Sequence, residues 1–174
     1  MCPDGCVECL SATVCTLCLP NYYLMREGLC YKWCPDRYVG NPSLFRCVPC
    51  IYDCLTCDLN GNCLSCSNAI DHRSLFNWTQ RCIPLPRYFD NETTVAAPCQ
   101  TICVMCLNTT VCSACIQGFY LSLQSTCESQ CQPRYLADMK TLSCNKCPYD
   151  CYFCADNGDC LSCNLETDHR IMNN

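Results

Sequence analysis

The stretch Cys2-Pro-Asp-Gly-Cys6-Val-Glu-Cys9-Leu-Ser-Ala-Thr-Val-Cys15-Thr-Leu-Cys18 has a counterpart in Cys99-Gln-Thr-Ile-Cys103-Val-Met-Cys106-Leu-Asn-Thr-Thr-Val-Cys112-Ser-Ala-Cys115. Both keep the spacing C-x3-C-x2-C-x5-C-x2-C. The match extends much further. Thirteen cysteines, Cys2 to Cys66, recur 97 residues later (99 − 2 = 97) as Cys99 to Cys163, without a slip. Spacing held this strictly means that each cysteine has a fixed partner, and a fixed period of this kind is the mark of a repeat protein.

The opening figure also returns inside the period, at Cys50, Cys54, Cys57, Cys63 and Cys66. The chain therefore reads as four half-units, beginning at Cys2, Cys50, Cys99 and Cys147. Other residues follow the 97-residue period: Tyr23-Leu24 with Tyr120-Leu121, Arg37-Tyr38 with Arg134-Tyr135, Asn60-Gly61 with Asn157-Gly158, and Asp71-His72-Arg73 with Asp168-His169-Arg170. Asn174 falls on Asn77, so the pattern stops in mid-unit, and the array is expected to continue beyond residue 174.

Twenty-seven of 174 residues are cysteine, well above the ~8–10% that marks a disulfide scaffold. Large aliphatic side chains are too scattered for one core. Ordering each residue costs about 1–2 kcal/mol of backbone entropy, and cross-links recover it by restricting the unfolded chain. Tyr22-Tyr23-Leu24, Tyr38-Val39 and Phe119-Tyr120-Leu121 suit very short strands. Asn60-Gly61 and Asn157-Gly158 signal type I′ turns. No segment holds a helical period. The expected fold is small and disulfide-rich: an elongated rod of stacked units with short β-hairpins, little helix and no single core.

A net charge of −5 argues against a nucleic-acid partner, which needs a basic face. No apolar run approaches the ~20 residues that span a bilayer. The start, Met1 to Cys6, has no signal-peptide pattern, so the sequence is expected to be a mature or an interior piece. Three N-glycosylation sequons stand at Asn77-Trp78-Thr79, Asn91-Glu92-Thr93 and Asn108-Thr109-Thr110. With the cysteine content they point to the secretory route and an extracellular place, secreted or on the cell surface, with N-linked glycans.

Ten C-x2-C pairs invite a zinc reading. Ribbon-type zinc sites separate their knuckles by about 15–20 residues, whereas here neighbouring pairs often sit five residues apart, and the chain has only two histidines. Disulfides are therefore preferred, with no metal and no cofactor expected. A redox C-x-x-C has no βαβ context here.

The pattern resembles the furin-like cysteine-rich repeat of proprotein convertases, R-spondins and growth-factor-receptor ectodomains. The diagnostic stretch is Cys99 to Cys106, then Cys112-Ser-Ala-Cys115-Ile-Gln-Gly118-Phe-Tyr120-Leu121, then Cys127, Cys131 and Tyr135. Long arrays of such units also resemble tandem-repeat surface proteins of ciliates and other protists. The resemblance implies domains at 2–47, 50–96, 99–144 and 147–174, the second a variant and the fourth truncated. It implies the bonds Cys2–Cys9, Cys6–Cys15, Cys18–Cys30, Cys34–Cys47, Cys50–Cys57, Cys54–Cys63 and Cys66–Cys82. In the second period it implies Cys99–Cys106, Cys103–Cys112, Cys115–Cys127, Cys131–Cys144, Cys147–Cys154 and Cys151–Cys160. Cys163 is left unpaired, because the counterpart of Cys82 would lie five residues past Asn174 (82 + 97 = 179). The variant unit lacks the seventh and eighth cysteines together, as members of one bond should be lost.

Little else carries chemistry. Asp71-His72-Arg73 reads as a repeated turn or surface cluster, since no nucleophile is free to serve a histidine. Asp53 and Asp150 are lone carboxylates, weak as calcium ligands. Tyr22, Tyr23, Tyr38, Phe119, Tyr120 and Tyr135 read as packing over disulfides. Two functions stay open. The first is a non-enzymatic structural glycoprotein of a surface coat, ciliary appendage or filament, whose partners are other copies of itself or further repeats of the same chain. The second is a ligand-binding cysteine-rich ectodomain, whose contact patch would be Leu75, Phe76, Trp78, Ile83 and Leu85.

Overall fold

In the computed structural model, residues 1–148 and 151–163 are described. Every element among them is a short strand, and no helix occurs there. The strands run from two to six residues, and cysteines recur every few residues along them.

The first half-unit comprises β1 (Cys6–Ser11), β2 (Val14–Cys18), β3 (Tyr23–Leu24), β4 (Cys30–Tyr31), β5 (Tyr38–Asn41) and β6 (Arg46–Pro49). The second comprises β7 (Thr56–Cys57), β8 (Cys63–Ser65), β9 (Arg73–Phe76), β10 (Arg81–Pro84), β11 (Tyr88–Phe89) and β12 (Ala97–Pro98). The third repeats the first as β13 (Cys103–Cys106), β14 (Cys112–Cys115), β15 (Tyr120–Leu121), β16 (Cys127–Glu128), β17 (Tyr135–Asp138) and β18 (Ser143–Lys146). The fourth opens with β19 (Phe153–Cys154) and β20 (Cys160–Ser162).

Each half-unit opens on an antiparallel hairpin closed by its second and fourth cysteines: β1–β2, β7–β8, β13–β14 and β19–β20. In the first and third half-units the remaining strands form a four-stranded sheet, ordered β4-β3-β6-β5 and β16-β15-β18-β17. Its only parallel pairing is a single bridge, Leu24 to Arg46 and Leu121 to Ser143. The second half-unit has no such sheet. There β9–β10 is a free-standing hairpin with four residue pairs, and β11–β12 keeps two.

The chain divides into two compact units, Met1–Leu85 with Asn91–Ala96, and Pro86–Asp90 with Ala97–Asn174. Sulfur supplies the cores. One cluster holds Cys54, Cys57, Cys63 and Cys82 with Val39 against it. A second holds Cys103, Cys112, Cys115 and Cys127 under Phe119 and Leu121. A third holds Cys147, Cys151 and Cys154 with Leu136. Of the aromatic residues read as packing over disulfides, Phe119 lies against the second cluster. The Tyr23 ring lies against Gly40, so tightly that a Cβ there would stand 2.7 Å from it.

Both turns differ from the sequence reading. A type I′ turn needs positive φ at both central residues, but at Asn157-Gly158 only Gly158 (φ 91) has it, and at Asn60-Gly61 only Gly61 (φ 86). At Asn60-Gly61, Asp58 explains the difference. Its Oδ1 accepts the N–H groups of Asn60 and Asn62, and its Oδ2 accepts the Asn62 amide. The loop is therefore folded by a side chain. The Asn62 amide, then the Asn62 N–H, hold the Asp58 carboxyl below its ordinary value.

Candidate functional site

Two features organise the described residues, a joint that repeats and a buried polar cluster in the second half-unit. The joint is built on Pro35-Asp36-Arg37-Tyr38, Leu85-Pro86-Arg87-Tyr88 and Gln132-Pro133-Arg134-Tyr135. In each the arginine has left-handed backbone, at φ 70, 72 and 73, a region that arginine rarely visits. The conformation turns its N–H and C=O toward the next half-unit. Arg37 N–H donates to Leu55 O at 2.6 Å, Arg87 N–H to Val104 O at 2.6 Å, and Arg134 N–H to Tyr152 O at 2.8 Å. The same three arginine carbonyls accept from Cys50, Cys99 and Cys147, the first cysteine of the following half-unit, each at 2.8 Å. Val39 and Leu136, two residues on, pack against the next cysteine cluster. One interlocking device thus occurs three times. Sequence reasoning noted the Arg-Tyr pairs but missed their role. The signal available was a third copy, Arg87-Tyr88, in the half-unit that has lost a disulfide.

The polar cluster occupies the variant half-unit. Arg73 is fully buried. Its Nε donates to Thr94 O (3.2 Å), one terminal nitrogen to Cys82 O (3.2 Å) and the other to Thr93 O (2.9 Å). Its guanidinium lies 5.4 Å from the centre of the Tyr52 ring, a cation–π distance. Asp71, equally buried, accepts from Arg37 at 2.7 Å, and its backbone carbonyl accepts from Ala96 N–H. Asp53, 2% exposed, accepts from Arg81 Nε and Nη2 (2.7 and 3.0 Å) and from Cys82 N–H (3.1 Å). The surface reading of Asp71-His72-Arg73 is therefore corrected. Both charged members are interior and tie the 93–96 loop to β9, while His72 forms the turn at φ 55. A hint existed: Arg73 stands seven residues after Cys66, as buried Met25 stands seven after Cys18 and buried Ser122 seven after Cys115. The copies at Asp150, Asp168, His169 and Arg170 lie outside the described residues.

The structure joins thirteen cysteine pairs. In the first period they are Cys2–Cys9, Cys6–Cys15, Cys18–Cys30, Cys34–Cys47, Cys50–Cys57, Cys54–Cys63 and Cys66–Cys82. In the second they are Cys99–Cys106, Cys103–Cys112, Cys115–Cys127, Cys131–Cys144, Cys147–Cys154 and Cys151–Cys160. Cys163 carries no bond. Three trios bring potential ligand atoms within 4.8 Å: Cys6, Cys15 and Cys30; Cys103, Cys112 and Cys127; and Asp53, Cys54 and Cys63. All their sulfurs lie in disulfides, and a metal needs thiolates. The Asp53 carboxylate is already engaged by Arg81 and Cys82.

The sequon asparagines Asn77, Asn91 and Asn108 are all exposed. In two the side-chain oxygen anchors its own turn: Asn91 Oδ1 accepts the Thr93 hydroxyl, and Asn108 Oδ1 accepts the Thr110 N–H and hydroxyl and the Val111 N–H. Of the candidate contact residues, Trp78 is 92% exposed, Leu75, Phe76 and Ile83 are about 40% exposed, and Leu85 is half-buried.

Fold and joint together define a disulfide-rich tandem-repeat protein. No family model matches the chain. It is 32% identical over 171 residues, 93% of its length, to furin-like protease 2 of Drosophila melanogaster. It is 28% identical over 158 residues (88%) to the human extracellular matrix organizing protein FRAS1. It is 26% identical over 199 aligned residues (93%) to cysteine repeat modular protein 2 of Tetrahymena thermophila. The chain spans only 10%, 4% and 10% of these relatives. In the protease the matching part is its cysteine-rich region, not the catalytic domain. Over most of its length the chain consists of furin-like cysteine-rich repeats.

Proposed function

We propose that the chain is part of a non-enzymatic extracellular structural glycoprotein, in which cysteine-rich units serve a cell-surface coat, ciliary appendage or secreted filament. The observation that carries this reading is the threefold repetition of the arginine joint with nearly constant distances. A device repeated from unit to unit suits an assembly whose partners are further repeats or further copies. Chemistry supports the compartment, since disulfides in this number are characteristic of oxidising surroundings. One relative's name, extracellular matrix organizing protein, agrees with that place. Among the described residues no helix is long and apolar enough to cross a membrane.

A second reading, a ligand-binding ectodomain, is favoured by the apolar β9–β10 hairpin of the variant half-unit, which neither neighbouring half-unit shares. Electron micrographs of the material purified from its own cells separate the two. Regular filaments or sheets are expected. Dispersed particles that hold a soluble protein ligand on Leu75, Ile83 and Leu85 would overturn the structural reading.

A further inference from the structure

The Cys66–Cys82 loop separates its cysteines by 16 residues, where Cys18–Cys30 and Cys115–Cys127 each separate theirs by 12. The four extra residues lengthen the hairpin. The pairs β3–β4 and β15–β16 hold two residue pairs each, whereas β9–β10 holds four, from Arg73↔Pro84 to Phe76↔Arg81. The tip so raised is Asn77-Trp78-Thr79-Gln80, closed by Thr79 N–H to Phe76 O (3.2 Å) with Gln80 at φ 49. The insertion thus presents one sequon with an aromatic residue on each side. Trp78 is 92% and Phe76 43% exposed, with Leu75 and Ile83 on the strands below at 39% and 42%.

An apolar hairpin tip standing in water is a liability, because exposed apolar surface on a strand pair invites association. We propose that an N-linked oligosaccharide on Asn77 is the cover of this tip, its proximal sugars packed on the Trp78 and Phe76 rings. The chemistry fits. A pyranose has one face of C–H bonds with slight positive charge, and the face of an aromatic ring is negative. The sugar-bearing Asn77 stands between the two aromatic residues in the chain, Phe76 before it and Trp78 after it. The hydroxyls of the outer sugars then face water in place of indole. Asn91 and Asn108 have no such neighbours: Asn91 lies between Asp90 and Glu92, and Asn108 between Leu107 and Thr109.

This inference rests on the secretory reading, and the test separates the two. Peptide mass mapping of protein from its own cells, after enzymatic glycan release in heavy-oxygen water, is expected to show Asn77 converted to labelled Asp. Glycan at Asn91 or Asn108 but not at Asn77 overturns the inference alone. Glycan at none of the three overturns it together with the secretory reading. The second measurement uses protein secreted from eukaryotic cells and carrying Trp33→Phe, which leaves Trp78 as the only indole. Acrylamide quenching of Trp78 is expected to rise about two-fold when the glycan is removed from the folded protein, and to start at that higher level in Thr79→Ala. Quenching unchanged by glycan removal overturns the packing.

Discussion

The first and second half-units close the same kind of segment by different means. In the first, Cys34–Cys47 bonds the stretch before the joint to β6, and Met25 fills the interior. In the second, both cysteines are gone, and Arg73 stands where Met25 stood, reaching across to the carbonyls of Thr93 and Thr94. A covalent bond acts mainly by shrinking the unfolded ensemble. A buried guanidinium acts only in the folded state, and only while every carbonyl it faces stays in place. The comparison shows that a furin-like half-unit can exchange a disulfide for a charged plug, at the cost of making that region depend on geometry rather than topology.

The sharpest way to break the comparison is Arg73→Met, which gives the second half-unit the residue of the first. It strands the carbonyls of Cys82, Thr93 and Thr94, and is expected to destabilise the second half-unit by about 3–5 kcal/mol. Hydrogen exchange should locate the loss at Ala96 and Cys82, with β1–β2 unaffected. Protection unchanged at Ala96 would show that the guanidinium holds nothing.

Removing the covalent counterpart, Cys34→Ala with Cys47→Ala, is expected to cost about 3 kcal/mol on the chain-entropy estimate for a loop of this length. Denaturant unfolding followed by exchange at β5 and β6 measures it. A smaller loss than that of Arg73→Met ranks the plug above the bond, and a larger one reverses the order.

The smallest effect concerns pH. Asp58 belongs to the second half-unit, and Leu10 holds the matching place in the first. Its carboxyl is held below the ordinary value, chiefly by the Asn62 amide. The turn it folds is thus supported above the ordinary carboxylate range, and the support is lost as pH falls through the lowered folded value. A carboxyl titration followed by NMR is expected to show a midpoint below the ordinary range, with the Asn60 and Asn62 amide signals moving in step. A midpoint at or above that range removes Asp58 from the account of the turn.

The cysteine positions made the repeat, the hairpins and the lean interior legible, because strict spacing constrains topology directly. Arg73 was not legible as an interior residue. Arginine is almost never fully buried unless paired, and its partners here are carbonyls from a loop some twenty residues away, which leave no mark in a sequence. The left-handed arginines were hidden for a related reason. Residue type argues against positive φ at arginine, and only the geometry of the joint requires it. The Asn60-Gly61 turn was placed correctly and typed wrongly, because Asp58, two residues before Asn60, competes for the same N–H groups.

The three joints are made chiefly of main-chain atoms, with one apolar side chain beyond two of them. Any segment ending in such a turn can therefore precede any segment opening on a C-x3-C-x2-C knot, whatever the rest of either displays. Gene duplication or deletion by whole segments would change the number of modules without redesigning a seam, and the faces between seams are left free to diverge.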